Sequence, residues 1–234
     1  YGTDTFPTLD TFVGPTNLFG TLAKRAVFGE VGIDGLYGPS DVTIIADGSA
    51  PAAWAAADML SQAEHGEDSP AILVTPDAAY AAAVAAAAEA QLASAARRGY
   101  LSVSLERFGG IIITRDLPEA AAMANLLAAE HLELLVADPE ALLPAIRHAG
   151  AIFLGAYAPV PVGDYFAGPS HMLPTGRTAR FSSGLGVATF LKRSSLIMPD
   201  ADWLAANRAA IATLAAHEGL FAHAEAVERR ETRA

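Results

Sequence analysis

The sequence predicts an α/β protein: a body built on a parallel sheet, followed by a small helical carboxy-terminal unit. Three observations predict it. Short, apolar and largely β-branched segments such as Val42-Thr43-Ile44-Ile45-Ala46 read as buried strands. They alternate with longer alanine-rich segments that read as helices, and strict alternation implies crossover connections and a parallel sheet covered on both faces. Beyond Leu154 the rhythm breaks, first into a stretch rich in glycine and proline, then into helical sequence from about Leu185.

In chain order, residues 1–16 read as extended or looped, with Pro7 and Gly14-Pro15 as breakers. Asn17 stands at an N-cap position before a helical run through Lys24 and Val27 to Gly29. Its free backbone N–H groups suit a simple cap, or an anionic group such as a pyrophosphate. Gly38-Pro39-Ser40 marks a turn before the strand at 42–46. Then come a helix from Pro51 to His65 stopped by Gly66, a strand Ile72–Thr75, and a long helix from Asp77 to about Arg98. A strand Ile111–Thr114, a helix Leu117–Ala129, a strand His131–Val136, a helix Asp138–His148 and a strand Ala151–Leu154 complete the alternation. Gly155 to Arg180 holds too many breakers for a regular element, and a loop of that length in a compact domain points to function. The tail reads as a helical segment to Ser194, a helix from Pro199 to about His217, and a last helix to Arg233.

Composition narrows the function classes. The chain has 234 residues, 52% of them hydrophobic and 18% charged, which suits a folded chain with a sizeable core. A net charge of −11 argues against nucleic acid as a partner, because phosphate binding needs concentrated Lys and Arg. There is no cysteine, so disulfides, thiolate metal sites and cysteine nucleophiles are excluded, and His, Asp, Glu, Gln and Asn remain as ligands. No segment reads as a membrane span or a signal peptide, and a cytoplasmic protein is expected. Tyr1 opens the chain without methionine, as if it begins inside a larger protein.

The candidate chemistry lies in a few polar clusters. Gln62 and His65 are three apart at a helix end and share one face, where an amide oxygen and an imidazole could hold a metal or clamp a polar substrate. Solvated helix-end residues are the plain alternative. Glu130-His131 joins a helix to a strand, as a cap and half-buried histidine or as an acid–base pair. Asp164 and His171 lie on the long loop, and Glu218 and His223 on the tail. In open α/β sheets a site is expected beyond the carboxyl ends of the strands, so Ser40, which precedes its strand, would have to reach it within a loop.

Five separated motifs in order carry a resemblance. Ser61-Gln-Ala-Glu-His-Gly66, Glu130-His131-Leu132, Gly163-Asp-Tyr165, Gly168-Pro-Ser-His-Met-Leu-Pro-Thr175 and Thr178-Ala-Arg-Phe-Ser-Ser183 together resemble the histidinol dehydrogenases. Phe190-Leu-Lys-Arg-Ser194 and Glu218 to Ala226 continue the match. The likeness runs over essentially the whole chain but only over the carboxy-terminal half of that family's usual length. It departs at Ser170, where the family usually has Asn, and at Asp41, where it usually has Glu.

The resemblance implies an incomplete Rossmann-like body and a zinc-dependent, NAD-linked enzyme that oxidises L-histidinol through the aldehyde to L-histidine. It implies zinc ligands at Gln62, His65 and Asp164, with His223 completing the set from the other subunit of a homodimer. Glu130 and His131 match the catalytic pair. Ser40, Gln62, His65, His131, Asp164, Glu218 and His223 match substrate contacts, and Asn17 matches an NAD-binding position. On this reading residues 1–38 end an upstream α/β domain, 39–184 form the body with the site, and 185–234 form a tail that crosses to the partner subunit. The alternatives are a relative that oxidises another primary alcohol, such as a sulfonated diol, and a metal-binding fragment without turnover.

Overall fold

A computed structural model of the protein describes residues 2–230. Its centre is a five-stranded parallel sheet of β3 (Val42–Ala46), β4 (Ala71–Thr75), β5 (Gly109–Ile113), β6 (His131–Leu135) and β7 (Ala151–Leu154), in the order β5-β4-β3-β6-β7. The chain starts in the middle, winds out to β5, returns across β3 and winds out to β7. This is the α/β architecture with a parallel sheet that the alternating sequence predicts.

The two-residue period of the strands sorts their side chains into two cores. Ile44, Leu73 and Leu135 face α2 (Ala52–Ala63) and α3 (Ala78–Ser94), where Ala55, Ala56, Met59 and Val84 meet them. Ile45, Val74, Leu132 and Leu134 face α5 (Leu117–Leu127), which presents Ala120, Ala121 and Ala124. Alanine at these positions lets the helix backbones approach the sheet closely. His131 and Glu133 alternate with Leu132 and Leu134, so their side chains emerge on the α2 side.

Ahead of the sheet, α1 (Leu18–Val27) packs with two short parallel strands, β1 (Thr11–Phe12) and β2 (Gly32–Ile33). The stretch 1–16, expected to be extended or looped, thus holds a two-residue strand. The Lys24 ammonium is buried inside this arm, 2.7 Å from the Asp34 carboxylate and 2.5 Å from the Gly14 carbonyl, with the Tyr37 ring 5.0 Å away.

Several elements differ from the sequence reading. The long helix after Asp77 ends at Ser94, and α4 (Arg98–Phe108) starts afresh. Ala95 is extended, and the break lets Leu101 pack with Leu60 and Ala63 of α2. The helix expected over 138–148 is one turn, α6 (Pro139–Leu142), followed by a 3-10 turn at Leu143–Ala145. Pro144 removes a donor there, and Asn125 holds the unwound chain by bonding Ala145 O, Arg147 N and His148 N. Conversely, the long loop contains a helix, α7 (Val160–Tyr165), with Pro161 in its first turn where a missing N–H is harmless. The stretch 185–194 holds only a 3-10 turn, Val187–Phe190.

Contacts divide the chain into a first unit through Phe190 and a second from Leu191. The second contains α8 (Ala201–His217), capped by Asp200, and α9 (Phe221–Glu228), joined through Gly219 at φ 74°. The expected continuation to Arg233 lies outside the described residues. No helix among the described residues is long and apolar enough to cross a membrane.

Candidate active site

The candidate site forms at the amino ends of the strands, not beyond their carboxyl ends as expected. Ser40 and Asp41 directly precede β3, and Glu130 directly precedes β6. The carboxy-terminal end of α2 reaches the same edge because a helix between parallel strands runs opposite to them. After β7 the chain turns back, and α7 brings Asp164 to this edge as well. Gly163 makes the approach possible, since a Cβ there would stand 2.7 Å from the Phe153 ring. Ser40, His65, Glu130, His131 and Asp164 border a cavity of about 590 Å³.

His131 is 3% exposed and opens β6 opposite Val42 of β3. That register sets its backbone N–H on Asp41 O at 3.1 Å and its Nδ1 3.2 Å from the same carbonyl. A carbonyl oxygen only accepts, so Nδ1 carries the proton and Nε2 keeps its lone pair. Nε2 is buried without a hydrogen-bond partner, 3.8 Å from Asp164 Oδ1. Burial pushes this imidazole down to about 4, against the opposing pull of the Asp164 charge and the Asp41 carbonyl, so the ring is neutral at neutral pH.

Glu130 is held by its backbone. Its N–H donates to Asp41 Oδ1 at 3.3 Å and its carbonyl accepts from Ala151 N, an approach that only a glycine at 150 allows. Ala128, which ends α5 in the left-handed region at φ 49°, swings the chain into this position. Burial pushes the Glu130 carboxyl up to about 7, with the Asp41 and Asp164 charges adding to the rise and the Ser40 hydroxyl opposing it. Asp41 is itself raised to about 6 by burial. Sequence reasoning singled out Asp41 only as a departure, yet it positions both neighbours. An acidic residue between a Pro-Ser turn and a buried strand is the signal that could have found it.

Gln62 is fully buried near the end of α2, and its Nε2 donates to Ser40 Oγ at 2.8 Å. Gln62 Oε1 is left buried and unpartnered. His65 lies two residues beyond the end of α2, in a turn, and lines the cavity with Asp164. An orphaned amide oxygen, an imidazole and a carboxylate form a nitrogen–oxygen donor set that fits a zinc ion. Among the described residues no three His, Cys, Asp or Glu side chains gather into a metal cage. The cavity wall carries Asp68, Glu130 and Asp164 and neither Lys nor Arg, which favours a cationic occupant.

Asn17 is exposed at the start of α1 beside Pro15 and Thr16, which line the cavity. Its Oδ1 accepts from Gly20 N at 3.1 Å, and its amide N–H groups can still donate to a ligand. His171 lines the cavity, and Thr175 fastens the same loop by accepting from Gly38 N at 2.5 Å. Glu218 and His223 are exposed in the second unit, on either side of the Gly219 turn.

The family model described as histidinol dehydrogenase matches residues 1–231. The chain belongs to the histidinol dehydrogenase family. Histidinol dehydrogenase from Cereibacter sphaeroides is 51% identical over 230 residues, covering 98% of this chain and 53% of its own length. That of Gloeobacter violaceus is 52% identical over 230 residues, covering 52% of its length. The crystal structure of histidinol dehydrogenase from Elizabethkingia anophelis superposes with a TM-score of 0.90 at 36% identity, over 98% of this chain and 53% of that one. The chain thus spans about half the length of the curated relatives it matches.

Proposed function

We propose that this chain houses the zinc and acid–base centre of an enzyme that oxidises L-histidinol through the aldehyde to L-histidine with NAD. The observation that carries it is the pair His131 and Glu130: a buried neutral imidazole with a free Nε2 beside a carboxyl raised to about 7. Alcohol oxidation needs a base for the hydroxyl proton while hydride leaves carbon, and His131 Nε2 is that base. The imidazolium it becomes is stabilised by Asp164 at 3.8 Å. The second oxidation needs water added to the aldehyde. Glu130, poised near neutrality, takes the water's proton. Gln62 Oε1, His65 and Asp164, with His223 of the partner subunit, would hold zinc, which would supply Lewis-acid attraction for the substrate's imidazole and amine, and bound NAD would supply the hydride acceptor. Ser40 and Glu218 are assigned to substrate and the free amide of Asn17 to NAD, in a cytoplasmic homodimer.

Two measurements test this. Zinc content should be one per chain in the parent and lost in His65→Ala, with the fold retained because His65 is exposed in a turn. Turnover should be measured in this chain, and in the chain joined to the half of a curated relative that it does not cover. L-histidinol should be preferred over a plain diol. A folded parent without zinc, or equal turnover of both alcohols, would overturn the reading.

A further inference from the structure

A second cavity, of about 600 Å³, opens beside α5, across the sheet from the face on which His131 emerges. Three arginines and a histidine border it: Arg147 and His148 from the chain entering β7, and Arg177 and Arg180 from the turn beyond Thr175. Pro118, Ala122 and Leu126 of α5 form an apolar wall. Among the described residues no Asp or Glu lines this cavity, and none of its three guanidinium groups forms an ion pair. In a chain with 26 acidic and 15 basic residues, such a gathering of unpaired cations needs a cause. The active-site cavity has the opposite character, with Asp68, Glu130 and Asp164 and neither Lys nor Arg.

The segments that carry the arginines are held in place. Asn125 of α5 accepts from Arg147 N at 2.7 Å and His148 N at 3.1 Å, and donates to Ala145 O at 2.8 Å. Arg177 stands at φ 68°, a left-handed conformation that is costly for any residue with a Cβ. The Thr178 hydroxyl anchors that turn by donating to Thr175 O at 2.7 Å. Arg180 Nε donates to Arg177 O at 3.2 Å, which leaves its terminal N–H groups to donate to a ligand. The carboxy-terminal end of α5 attracts cations too, but its charge of about half a unit accounts for one arginine at most.

We propose that this cavity is an anion site for a phosphoryl group, free or carried by a small molecule. A phosphate monoester carries between about one and a half and two negative charges at neutral pH, and its three oxygens match guanidinium forks bidentately. A single carboxylate would leave two of the three arginine charges unbalanced. Among the described residues no Phe, Tyr or Trp lines the cavity, so it offers no stacking platform to a nucleic-acid base. Its volume is that of a small-molecule site. The bound group ties α5, which leads into Glu130 and His131, to the 145–148 chain and to the turn that follows Thr175.

Isothermal titration calorimetry of the metal-free chain should show binding of phenyl phosphate and of inorganic phosphate at about 50 mM salt, weakening as salt rises. Arg147→Gln, Arg177→Gly and Arg180→Gln should each weaken binding at least about tenfold, since each removes a charge-assisted hydrogen-bonding pair. Arg98→Gln, on α4 and outside the cavity, removes the same charge and should leave the affinity unchanged. Glycine suits the left-handed backbone at 177, so Arg177→Gly should lose phosphate while its ligand-free form melts no lower than the parent. Lost packing cannot produce that split. Phenyl phosphate bound about tenfold tighter than inorganic phosphate shows that the apolar wall of α5 takes a carbon skeleton. Equal affinities assign the site to free phosphate. No binding of either probe by the folded parent, or an affinity that the cavity variants lower no more than Arg98→Gln does, overturns the site.

Discussion

A single carbonyl oxygen, that of Asp41, decides the chemistry offered by His131. By accepting from the ring at Nδ1 it leaves Nε2 as the only basic atom, and burial keeps that atom unprotonated. Glu130 differs in being raised and poised to exchange a proton near neutrality. In the chain joined to a relative's other half, His131→Asn should slow alcohol oxidation on the order of a hundred- to ten-thousandfold, the range for a lost general base. Glu130→Gln should impair aldehyde oxidation more than alcohol oxidation, since an amide cannot take a proton from water. Single-turnover assays started from histidinol and from histidinaldehyde separate the two steps. Equal damage to both by Glu130→Gln refutes this division. In the parent, aldehyde oxidation should rise with pH through about 7 as Glu130 ionises, and that limb should vanish in the variant.

Among the elements, the arm of α1, β1 and β2 depends on a buried ion pair. Lys24 and Asp34 have fully buried side chains, and Asp34 also accepts from Gly14 N at 2.8 Å and Gly35 N at 2.9 Å. Removing one member of such a pair strands the other charge and costs about 3–5 kcal/mol. Asp34→Ala should therefore open the arm, seen as faster hydrogen exchange at residues 11–33 with β3 to β7 still protected. Replacing both residues with apolar ones of similar volume should recover much of the loss. Tyr37 and Ser40 continue this arm toward the cavity, so its opening should also raise the KM for the alcohol. Normal exchange across the arm in Asp34→Ala shows that the pair is dispensable.

For the whole molecule, the site is assembled at the expense of the fold. Asp41, Asp58, Glu130 and Glu133 all have raised ionisations, so below about pH 4 each can be protonated in both states, and its contribution is lost as the pH rises through its folded value. Lowered His131 and Asp47 act the other way: their stabilisation is lost as the pH falls. Four raised carboxyls outweigh them, so the metal-free body should resist urea better at about pH 5 than at about pH 8. A midpoint that rises over that interval contradicts the assignment of these four groups. The proposed shared site has its own test in the joined protein. His65→Ala and His223→Ala homodimers should be inactive. Random mixing makes about half the dimers heterodimers, each with one intact site, so roughly a quarter of all sites should recover. Mixtures as inactive as the separate variants, while parent chains refold normally, place His223 within its own subunit.

What the sequence by itself determined was local. The strands at Val42–Ala46 and Ala151–Leu154, the Asn17 cap and the alternation that implies a parallel sheet follow from side-chain period, β-branching and short-range hydrogen bonds. The grouping of Gln62, His65, Glu130, His131 and Asp164 came from motif resemblance, and their distances from one another could not be read from spacing. Tertiary structure decided the rest. It broke the helix at Ala95 because Leu101 gains burial against Leu60 and Ala63, a contact between residues about forty apart. It put the site at the amino edge of the sheet because α7 folds back along β7, which depends on Gly163 meeting Phe153. It joined Glu133 to the Val160 N–H, 27 residues on, a bond that no local pattern signals. Contacts of this kind depend on how distant faces pack, and a one-dimensional pattern holds only the faces.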